Sequence, residues 1–351
     1  MKKLKKEDIK KILIVKFKGL GDILLSEPAI RAVKESFPEA KVTLLINKDG
    51  YDIVSGLNLV DEIICFDKSK IKNLLDNIRF INEIRKKKFD LVVDLFGNPR
   101  SAILSFLSGA RYRLGMTYRF RKYFYNIKVQ GLKKIIYNVE ANLEIVRKIG
   151  ADTNNKSLEI FLPKDAIEYI EGFLKEKSLL NKCLVGMNPF GSVYTRKWGN
   201  DKFMELSERL IKDGFNVVFI WGPSEKDELD RIISKMRNKP IVAPPTNLKQ
   251  LSALIKRLNL LVTNTTVAQH IAVAFGVPTV TIFGTANKNA WNPPNDPKHM
   301  ALSANLPCQP CEKTKCDDFK CMHSVSVNEV YGEVMKLMKL KNTTLQKRFV
   351  V

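Results

Sequence analysis

The sequence lacks the features of a protein that crosses a membrane or is exported through one. No apolar run approaches the ~18 residues that a transmembrane helix requires. The basic residues 1–11 are followed only by a short apolar run, without the longer hydrophobic region and small-residue cleavage site of a signal peptide. We therefore expect a cytoplasmic protein.

Two common phosphate-binding motifs are also missing. A Walker loop ends in Gly-Lys-Ser or Gly-Lys-Thr, and the chain has no such loop. The stretch Gly19-Leu20-Gly21 begins like the dinucleotide motif G-x-G-x-x-G, but Leu24 occupies the third glycine position. Neither motif therefore predicts a nucleotide site near the start of the chain.

What is present is the composition of a basic globular protein. The length of 351 residues favours two domains, and a hydrophobic share of 45% with 27% charged residues is ordinary. The formal net charge is +22, with an excess of lysine and arginine in both halves. This charge favours an anionic partner, such as a phosphorylated substrate, a membrane surface or nucleic acid. The alternative is a basic surface that has no partner.

Residues 12–37 predict a buried strand, a glycine turn and an amphipathic helix. The apolar residues 12–15 form the strand, and Gly19 and Gly21 allow a sharp turn. Asp22 stands where the helix should begin. Because such a turn faces the ligand crevice of an open α/β sheet, Asp22 is a candidate functional carboxylate. The alternative is that Asp22 only caps the helix.

Strand and helix patterns alternate along the rest of the chain. Further strands are predicted at residues 41–46, 62–66, 90–95, 111–116, 184–187, 216–221, 260–262 and 279–283. Helices are predicted at residues 71–88, after a turn at 97–99 through to 107, and at 139–149, 201–212, 224–236, 248–257, 266–275 and 327–340. This alternation predicts an α/β protein with two doubly wound, Rossmann-like domains facing across a cleft.

The domain boundaries follow from the same pattern. We predict a first domain over residues 1–165, a second over 180–326 and a C-terminal helix over 327–340. The linker is expected near residues 155–180, with a new helix starting at Pro163. Residues 341–351 are expected to be frayed.

Polar residues follow three of the predicted strands of the second half. They are Gly191, Ser192, Arg196 and Lys197 after the first strand, Gly222 and Glu225 after the second, and Asn264, Thr265, Thr266 and His270 after the third. Because the carboxyl ends of parallel strands meet at one edge, these groups together describe a nucleotide-diphosphate site. The alternatives are that the two threonines only cap a helix and that His270 is a core histidine.

Residues 111–125 combine arginines with aromatic residues. Arg111, Arg113 and Arg119 lie among tyrosines and phenylalanines there. Such a mixture suits an anionic sugar-lipid or stacking on bases. The alternative is a solvated loop whose aromatic side chains are buried in the domain.

The order of these motifs resembles the lipopolysaccharide heptosyltransferases of glycosyltransferase family nine, which have the two-domain GT-B fold. The resemblance spans residues 12 to about 338. It rests on residues 19–22, Pro28-Ala29, Asp94 with the Gly97 turn, Arg100-Ser101, residues 188–192, Lys197-Trp198, residues 222–225, residues 266–270 and residues 306–311.

The resemblance implies an inverting glycosyltransferase in which Asp22 is the general base on the acceptor hydroxyl. Arg196 or Lys197 and the Thr266 turn would stabilise the departing diphosphate, and Glu225 would bind the ribose. The implied donor is ADP-L-glycero-D-manno-heptose, and the implied acceptor is the anionic lipid A core at the inner membrane. No cofactor is implied. We assign acceptor binding to Gly21, Arg100, Arg111, Arg113 and Arg119.

One loop departs from the family pattern. The family reads Asp-Thr-Gly-x-x-His at residues 265–270, whereas this chain has Thr265 for the aspartate and Val267 for the glycine. Val267 resists the positive φ that glycine permits, and Asn264 partly replaces the lost polar contact. The donor sugar is therefore open. The alternatives are a transferase or epimerase of the same fold with another nucleotide-sugar, and a nucleic-acid-binding protein, which the paired nucleotide turns disfavour.

Four cysteines near the C-terminus have the spacing C-x₂-C-x₄-C-x₄-C. Cys308, Cys311, Cys316 and Cys321 suit a tetrahedral zinc site by this spacing. Reduced thiols and disulfides are the alternatives in a cytoplasmic protein, where disulfides are rare. Family members carry a similar Pro-Cys-x-Pro-Cys segment outside the catalytic mechanism. The predicted cofactor is thus at most a structural zinc.

Overall fold

The computed structural model describes residues 4–17, 19–132 and 134–348. The chain divides into two compact units, the first ending at Phe161 and the second beginning at Leu162. Each unit is built on a parallel six-stranded sheet. The predicted linker region contains a helix of the second unit.

The sheet of the first unit has the strand order β3-β2-β1-β4-β5-β6. Its strands are β1 Lys11–Lys16, β2 Lys41–Asn47, β3 Glu62–Phe66, β4 Leu91–Asp94, β5 Tyr112–Thr117 and β6 Ile127–Gln130. Its helices are α1 Leu20–Leu24, α2 Glu27–Ser36, α3 Tyr51–Val54, α4 Leu74–Lys86, α5 Pro99–Leu107 and α6 Asn138–Arg147. The order reverses direction between β1 and β4, and this reversal is where open α/β sheets bind ligands.

The predicted opening helix is interrupted. It forms as α1 and α2, with Leu25 and Ser26 between them. Pro28, in the first turn of α2, has no N–H to donate to a carbonyl one turn earlier, so a continuous helix would be broken there. The interruption places Asp22 on a separate helix of five residues.

The second unit repeats this topology with the strand order β12-β11-β10-β7-β8-β9. Its strands are β7 Leu184–Asn188, β8 Asn216–Phe219, β9 Ile241–Val242, β10 Leu260–Asn264, β11 Thr279–Ile282 and β12 His299–Leu302. Its helices are α7 Lys164–Glu176, α8 Asn200–Lys212, α9 Lys226–Lys235, α10 Leu248–Arg257, α11 Val267–Ala274, α12 Lys288–Trp291, α13 Lys320–His323 and α14 Val327–Arg348. Short 3₁₀ helices lie at Lys6–Asp8, Lys48–Gly50, Lys68–Lys70, Arg119–Tyr123 and Tyr194–Arg196.

The core of the second unit is apolar on both sides of its sheet. Trp198, Phe190, Phe203 and Phe219 are almost fully buried there. The last helix contributes Val330, Val334 and Leu337 to the same cluster. This helix runs to Arg348, so the prediction of a frayed segment is wrong for residues 341–348, while residues 349–351 lie outside the described part. Across the described ranges, no helix combines the length and apolar character needed to cross a membrane.

Candidate active site

The turn after β1 places Asp22 in the first turn of α1. Gly19 is the N-cap residue and has a φ of +74°, which favours glycine. A β-carbon on Gly19 would lie 2.2 Å from Oδ2 of Asp22. The Asp22 carboxylate thus folds back over the glycine turn, beside the half-buried Gly21. The alternative that Asp22 is the N-cap residue is wrong, because the helix begins two residues earlier.

A buried lysine lies at the end of β1, directly before this turn. Lys16, the last residue of β1, is 6% exposed and donates hydrogen bonds to the Leu95 carbonyl (3.0 Å) and to Asn142 Oδ1 (3.2 Å). Burial lowers the pKa of Lys16, and the charges of Asp22 and Asp94 oppose that shift. The side-chain amine of Lys16 is therefore close enough to the carboxylates of Asp22 and Asp94 to interact with both electrostatically.

Asp94 ends the neighbouring strand β4 and is also buried. Its carboxylate accepts hydrogen bonds from the Tyr125 hydroxyl (2.6 Å) and from the backbone N–H groups of Phe96 and Gly97. Burial raises the pKa of Asp94, and these hydrogen bonds oppose the shift. Asp94 therefore shapes the Gly97 turn from within and is closed off from a ligand by its own hydrogen bonds.

The structure separates the four arginines assigned to the acceptor. Arg100 lies in the first turn of α5 and Arg119 lies just after β5, so both are at the carboxyl edge of the sheet. Arg111 precedes β5, and Arg113 is its second residue. The strand register pairs Tyr112 with Leu91 and Leu91 with Ile12, which puts both arginines at the opposite, amino edge.

The surroundings of Arg111 and Arg113 agree with this placement. Arg113 donates to the carbonyls of Ala110 (2.7 Å) and Phe124 (2.9 Å), and Arg111 lies 3.8 Å from the carboxylate of Asp8. The basic–aromatic segment is thus mixed. Tyr118, Phe120 and Tyr123 are exposed, whereas Tyr112 and Tyr125 are buried.

In the second unit, the N-terminus of α11 faces the ends of β7 and β10. Thr266 is the N-cap residue, but its side chain caps no N–H of the helix. Its hydroxyl instead accepts from Asn188 Nδ2 (3.0 Å) and lies 3.2 Å from the Thr263 hydroxyl. The alternative that Thr266 only caps the helix is therefore wrong. N–H groups without a side-chain cap at a helix start bind anions readily.

The residues flanking this helix start have structural contacts. Asn264, which is buried, accepts a hydrogen bond from the Trp198 N–H (2.9 Å) and donates to the Pro189 carbonyl (2.7 Å). Among the described residues, the Thr265 side chain makes one long contact, 3.5 Å from its hydroxyl to the Ile282 carbonyl. Val267 is the first residue of α11 and has no positive φ, so the loop holds valine without strain. A β-carbon on Gly191 would reach 3.3 Å from the Thr266 methyl, which places that glycine against the same helix start, with Ser192 exposed next to it.

A group of charged side chains lies at the turn before α9. The Glu225 carboxylate accepts a hydrogen bond of 2.6 Å from the Gly222 N–H. Burial raises the pKa of Glu225, while that hydrogen bond and the charge of Lys197 oppose the shift. The Lys197 ammonium lies 3.7 Å from Glu228, beyond hydrogen-bond distance. As far as the described residues show, the Lys197 ammonium therefore has hydrogen-bond donors available for another anion.

Arg196 has a partner that the sequence did not indicate. Its guanidinium pairs with Glu312 at 2.7 Å, and the other oxygen of Glu312 accepts from the Asn287 N–H. The buried Nε of Arg196 has no hydrogen-bond partner among the described residues. Of the two predicted cations, Lys197 is thus the less tightly paired.

His270 lies in the second turn of α11 and is 3% exposed. Burial lowers its pKa to about 4, so the imidazole is neutral near pH 7. Its ring centroid is 6.0 Å from that of Trp291, and Nδ1 has no hydrogen-bond partner in the described structure. His270 is thus a buried histidine with one unused polar atom.

The structure gives the zinc prediction no support. Cys308 is exposed, Cys311 and Cys316 are half-buried and Cys321 is buried, and all four are free thiols. Among the residues that the structure describes, no group of three or more His, Cys, Asp or Glu side chains is placed to hold a metal. The segment is held instead by Gln309, which donates to the Gly284 carbonyl at 2.7 Å, and by Glu312.

Comparison with known families identifies the chain. The family model described as glycosyltransferase family 9 (heptosyltransferase) matches residues 77–323. The chain belongs to glycosyltransferase family 9. The predicted resemblance and the prediction of a glycosyltransferase are thereby confirmed. The match includes every second-unit turn described above but begins after Asp22, so it does not test the base.

Relatives and solved structures agree with this family. Lipopolysaccharide heptosyltransferase 3 of Escherichia coli (strain K12) is 27% identical over 286 residues, which cover 78% of this chain and 82% of that protein. A family 9 glycosyltransferase structure from Veillonella parvula has a TM-score of 0.81 at 23% identity, covering 95% of this chain and 98% of that one. The ADP-heptose LPS heptosyltransferase II of E. coli has a TM-score of 0.76 at 18% identity, covering 95% and 99%. These likenesses confirm the predicted fold, which is GT-B.

Proposed function

We propose that this family 9 enzyme is an inverting heptosyltransferase that transfers heptose from ADP-L-glycero-D-manno-heptose to the inner core of lipopolysaccharide. The observation that carries the proposal is the start of α11, where Thr266 leaves the first-turn N–H groups without a side-chain cap. Such a helix start binds the diphosphate of a nucleotide-sugar. Relatives named as lipopolysaccharide heptosyltransferases support the choice of sugar and acceptor.

In the proposed reaction, Asp22 removes the proton from the acceptor hydroxyl. The hydroxyl oxygen attacks the anomeric carbon of the heptose from the face opposite the diphosphate. The new glycosidic bond forms as the bond from that carbon to the phosphate oxygen breaks, so the configuration inverts and ADP leaves. A carboxylate within hydrogen-bond reach of the hydroxyl is what base catalysis needs, and the Gly19 turn orients Asp22 for it.

The second unit binds the leaving group in this scheme. The N–H groups at the start of α11 and the Lys197 ammonium stabilise the negative charge that develops on the diphosphate. Arg196 is the second cation, and its pairing with Glu312 makes it the weaker candidate. Glu225 binds the ribose hydroxyls. We assign no cofactor to this reaction.

The acceptor is anionic and lipid-linked, which fits the basic first unit. Arg100 and Arg119, at the carboxyl edge that also carries Asp22, are the favoured contacts for its phosphates. Gly21 leaves room for the acceptor hydroxyl. Since the acceptor is anchored in a bilayer, we infer that the enzyme works in the cytoplasm in peripheral contact with the inner membrane.

A donor and acceptor panel tests this function. The purified protein is mixed with ADP- and UDP-linked sugars, each with and without a water-soluble, deacylated core acceptor. We expect ADP release from ADP-heptose only when acceptor is present, and NMR of the product should show the inverted anomeric configuration. Since Thr265 replaces the family aspartate, the panel must include ADP-linked sugars other than heptose.

Two outcomes would contradict the proposal. A new sugar product formed without acceptor would favour an epimerase. Transfer from a UDP-sugar, with none from ADP-heptose, would agree with a glycosyltransferase activity but would contradict ADP-heptose as the donor.

A further inference from the structure

The first turn of α4 exposes three large aliphatic side chains. Leu74 is 74% exposed, Leu75 is 62% exposed and Ile78 is 45% exposed. Leu74 and Ile78 are one helical turn apart and Leu75 is adjacent, so the three side chains form one apolar patch. Contiguous exposed apolar patches on soluble proteins mark sites of interaction.

The helix holds this patch outward rather than exposing it by chance. On its inner face, Phe80 packs against Phe66 with ring centroids 5.1 Å apart, and Ile84 is buried. Its start is fixed by a capping box between Asn73 and Asp76. Rotating α4 to bury Leu74 would withdraw Phe80 from the core, so the outward direction is set by packing.

The segment that leads into α4 and the helix itself are rich in cations. Residues 67–88 contain eight Lys or Arg against three Asp or Glu. Within the described residues, Lys68, Lys70 and Lys72 take part in no ion pair, while Asp67 lies 3.2 Å from Lys48 and Asp76 is engaged in the capping box. The chain that leads directly into the apolar patch therefore carries positive charge that no ion pair among the described residues neutralises.

We propose that this α4 patch, formed by Leu74, Leu75 and Ile78 with Lys68, Lys70 and Lys72, docks on an anionic phospholipid surface. Aliphatic side chains enter the boundary between headgroups and acyl chains, and lysines pair with the phosphates. Long lysine stems extend along the apolar layer while their ammonium groups stay at the headgroups.

The position of the patch fits the chemistry of the enzyme. α4 begins after β3, at the carboxyl edge of the sheet that also carries the Asp22 turn. Docking there brings the base to the level where a lipid-linked acceptor presents its sugar. The inference rests on the proposed function for its purpose, but its test does not need an acceptor.

Vesicle co-sedimentation of the full chain tests the docking. Phosphatidylglycerol vesicles should bind the protein, neutral phosphatidylcholine vesicles should bind it at least about tenfold more weakly, and added salt should release it. The triple variant Leu74→Ser, Leu75→Ser, Ile78→Ser should lose about tenfold or more of the vesicle affinity. The variant Lys68→Glu, Lys70→Glu, Lys72→Glu should lose a similar amount.

A matched control removes three exposed aliphatic side chains elsewhere. The variant Ile135→Ser, Ile167→Ser, Leu180→Ser should bind vesicles like the natural protein, since these residues are exposed outside α4. Thermal unfolding of all variants should be unchanged. Transfer to the deacylated acceptor should also be unchanged in both α4 variants, which separates the docking from the reaction.

Two results would overturn the proposal. One is vesicle binding by the α4 variants equal to that of the natural protein, and the other is no preference of the natural protein for phosphatidylglycerol over phosphatidylcholine. A protein that binds vesicles as described but transfers no sugar would overturn the proposed function and leave the docking surface in place.

Discussion

A β-carbon on Gly19 would lie 2.2 Å from Oδ2 of Asp22, which is closer than any real contact of that kind. Gly19→Ala should therefore displace the carboxylate as well as strain a φ of +74°. We expect kcat to fall by about ten- to a hundredfold with donor affinity unchanged, because the base is moved while the second unit is untouched. Steady-state kinetics and ADP titration measure the two quantities.

Gly109→Ala is the matched control for this substitution. Gly109 lies in the same unit with a φ of +76°, but an added β-carbon meets only the Arg85 side chain at 3.7 Å. Both variants should lose about 1–2 kcal/mol of unfolding free energy through the disfavoured backbone conformation. Equal kinetic effects in both would show that backbone strain, and not the position of Asp22, lowers the rate.

Asp22→Asn should keep the fold and ADP binding while lowering turnover by roughly two to four decades. The amide has the shape of the carboxylate but cannot take the proton of the acceptor hydroxyl. Transfer assays with the deacylated acceptor measure the effect, and Asp52→Asn on α3 serves as the control. Turnover near that of the natural enzyme would contradict the assignment of Asp22 as the general base.

Lys16→Met removes the buried ammonium beneath the Asp22 turn. The Leu95 carbonyl and Asn142 Oδ1 then lose a donor, so unfolding free energy should fall by roughly 2–4 kcal/mol. Loss of a nearby positive charge also disfavours an ionised carboxylate, so the acid limb of the pH–rate profile should move to higher pH. Lys11→Met, on the same strand but exposed, should change neither quantity. A loss of stability without any movement of the acid limb would reduce Lys16 to a purely structural role.

Glu225→Ala should raise the Km for donor with kcat nearly unchanged, because the ribose contact is the same in the ground and transition states.

Glu225→Gln tests the pH dependence of donor binding. Burial raises the pKa of Glu225, so its ionised form is lost at a higher pH than in an ordinary glutamate as pH falls. ADP affinity of the natural enzyme should weaken through that range, whereas Glu225→Gln should bind roughly tenfold more weakly with no such dependence. Asp230→Asn, an exposed position on the same helix, is the control, and a kcat effect at unchanged donor affinity would contradict the ribose role.

The alternation of strands and helices could be predicted because most elements carry a continuous apolar run or a helical apolar stripe. The prediction for α10 matches the structure residue for residue, since Leu254 and Ile255 fall on a clear buried face. The edge strands β6, β9 and β12 were missed because they are short and only partly buried, which leaves little apolar pattern. The last turns of α14 were missed because residues 341–348 are mostly polar.

The residues of the candidate site could be predicted only where they lie in a turn directly after a strand. Asp22, Glu225 and Thr266 follow strand ends, and strand ends can be recognised from the sequence. The pairing of Arg196 with Glu312 joins residues 116 positions apart through an irregular segment, so no local pattern indicates it. Arg111 and Arg113 were misplaced because their aromatic neighbours suggested a ligand, whereas the register of β5 puts them at the amino edge. Lys16 is a charged residue at the end of a buried apolar strand, and that position is itself a sequence signal for a buried charge near the site.

His270 gives a prediction about acid stability. Its pKa falls from 6.5 to about 4 on burial, so between these values the unfolded state binds the proton and the folded state does not. Folding stability therefore decreases as pH falls through that range, by about 3 kcal/mol in full from this residue. His270→Gln removes this pH-dependent loss of stability. Between pH 7 and pH 4, the unfolding free energy of the variant should therefore rise relative to that of the natural protein by up to that amount, even if the variant is less stable at pH 7. Denaturant unfolding at a series of pH values measures the difference. Parallel stability profiles for the natural protein and His270→Gln would show that burial does not lower the pKa of His270.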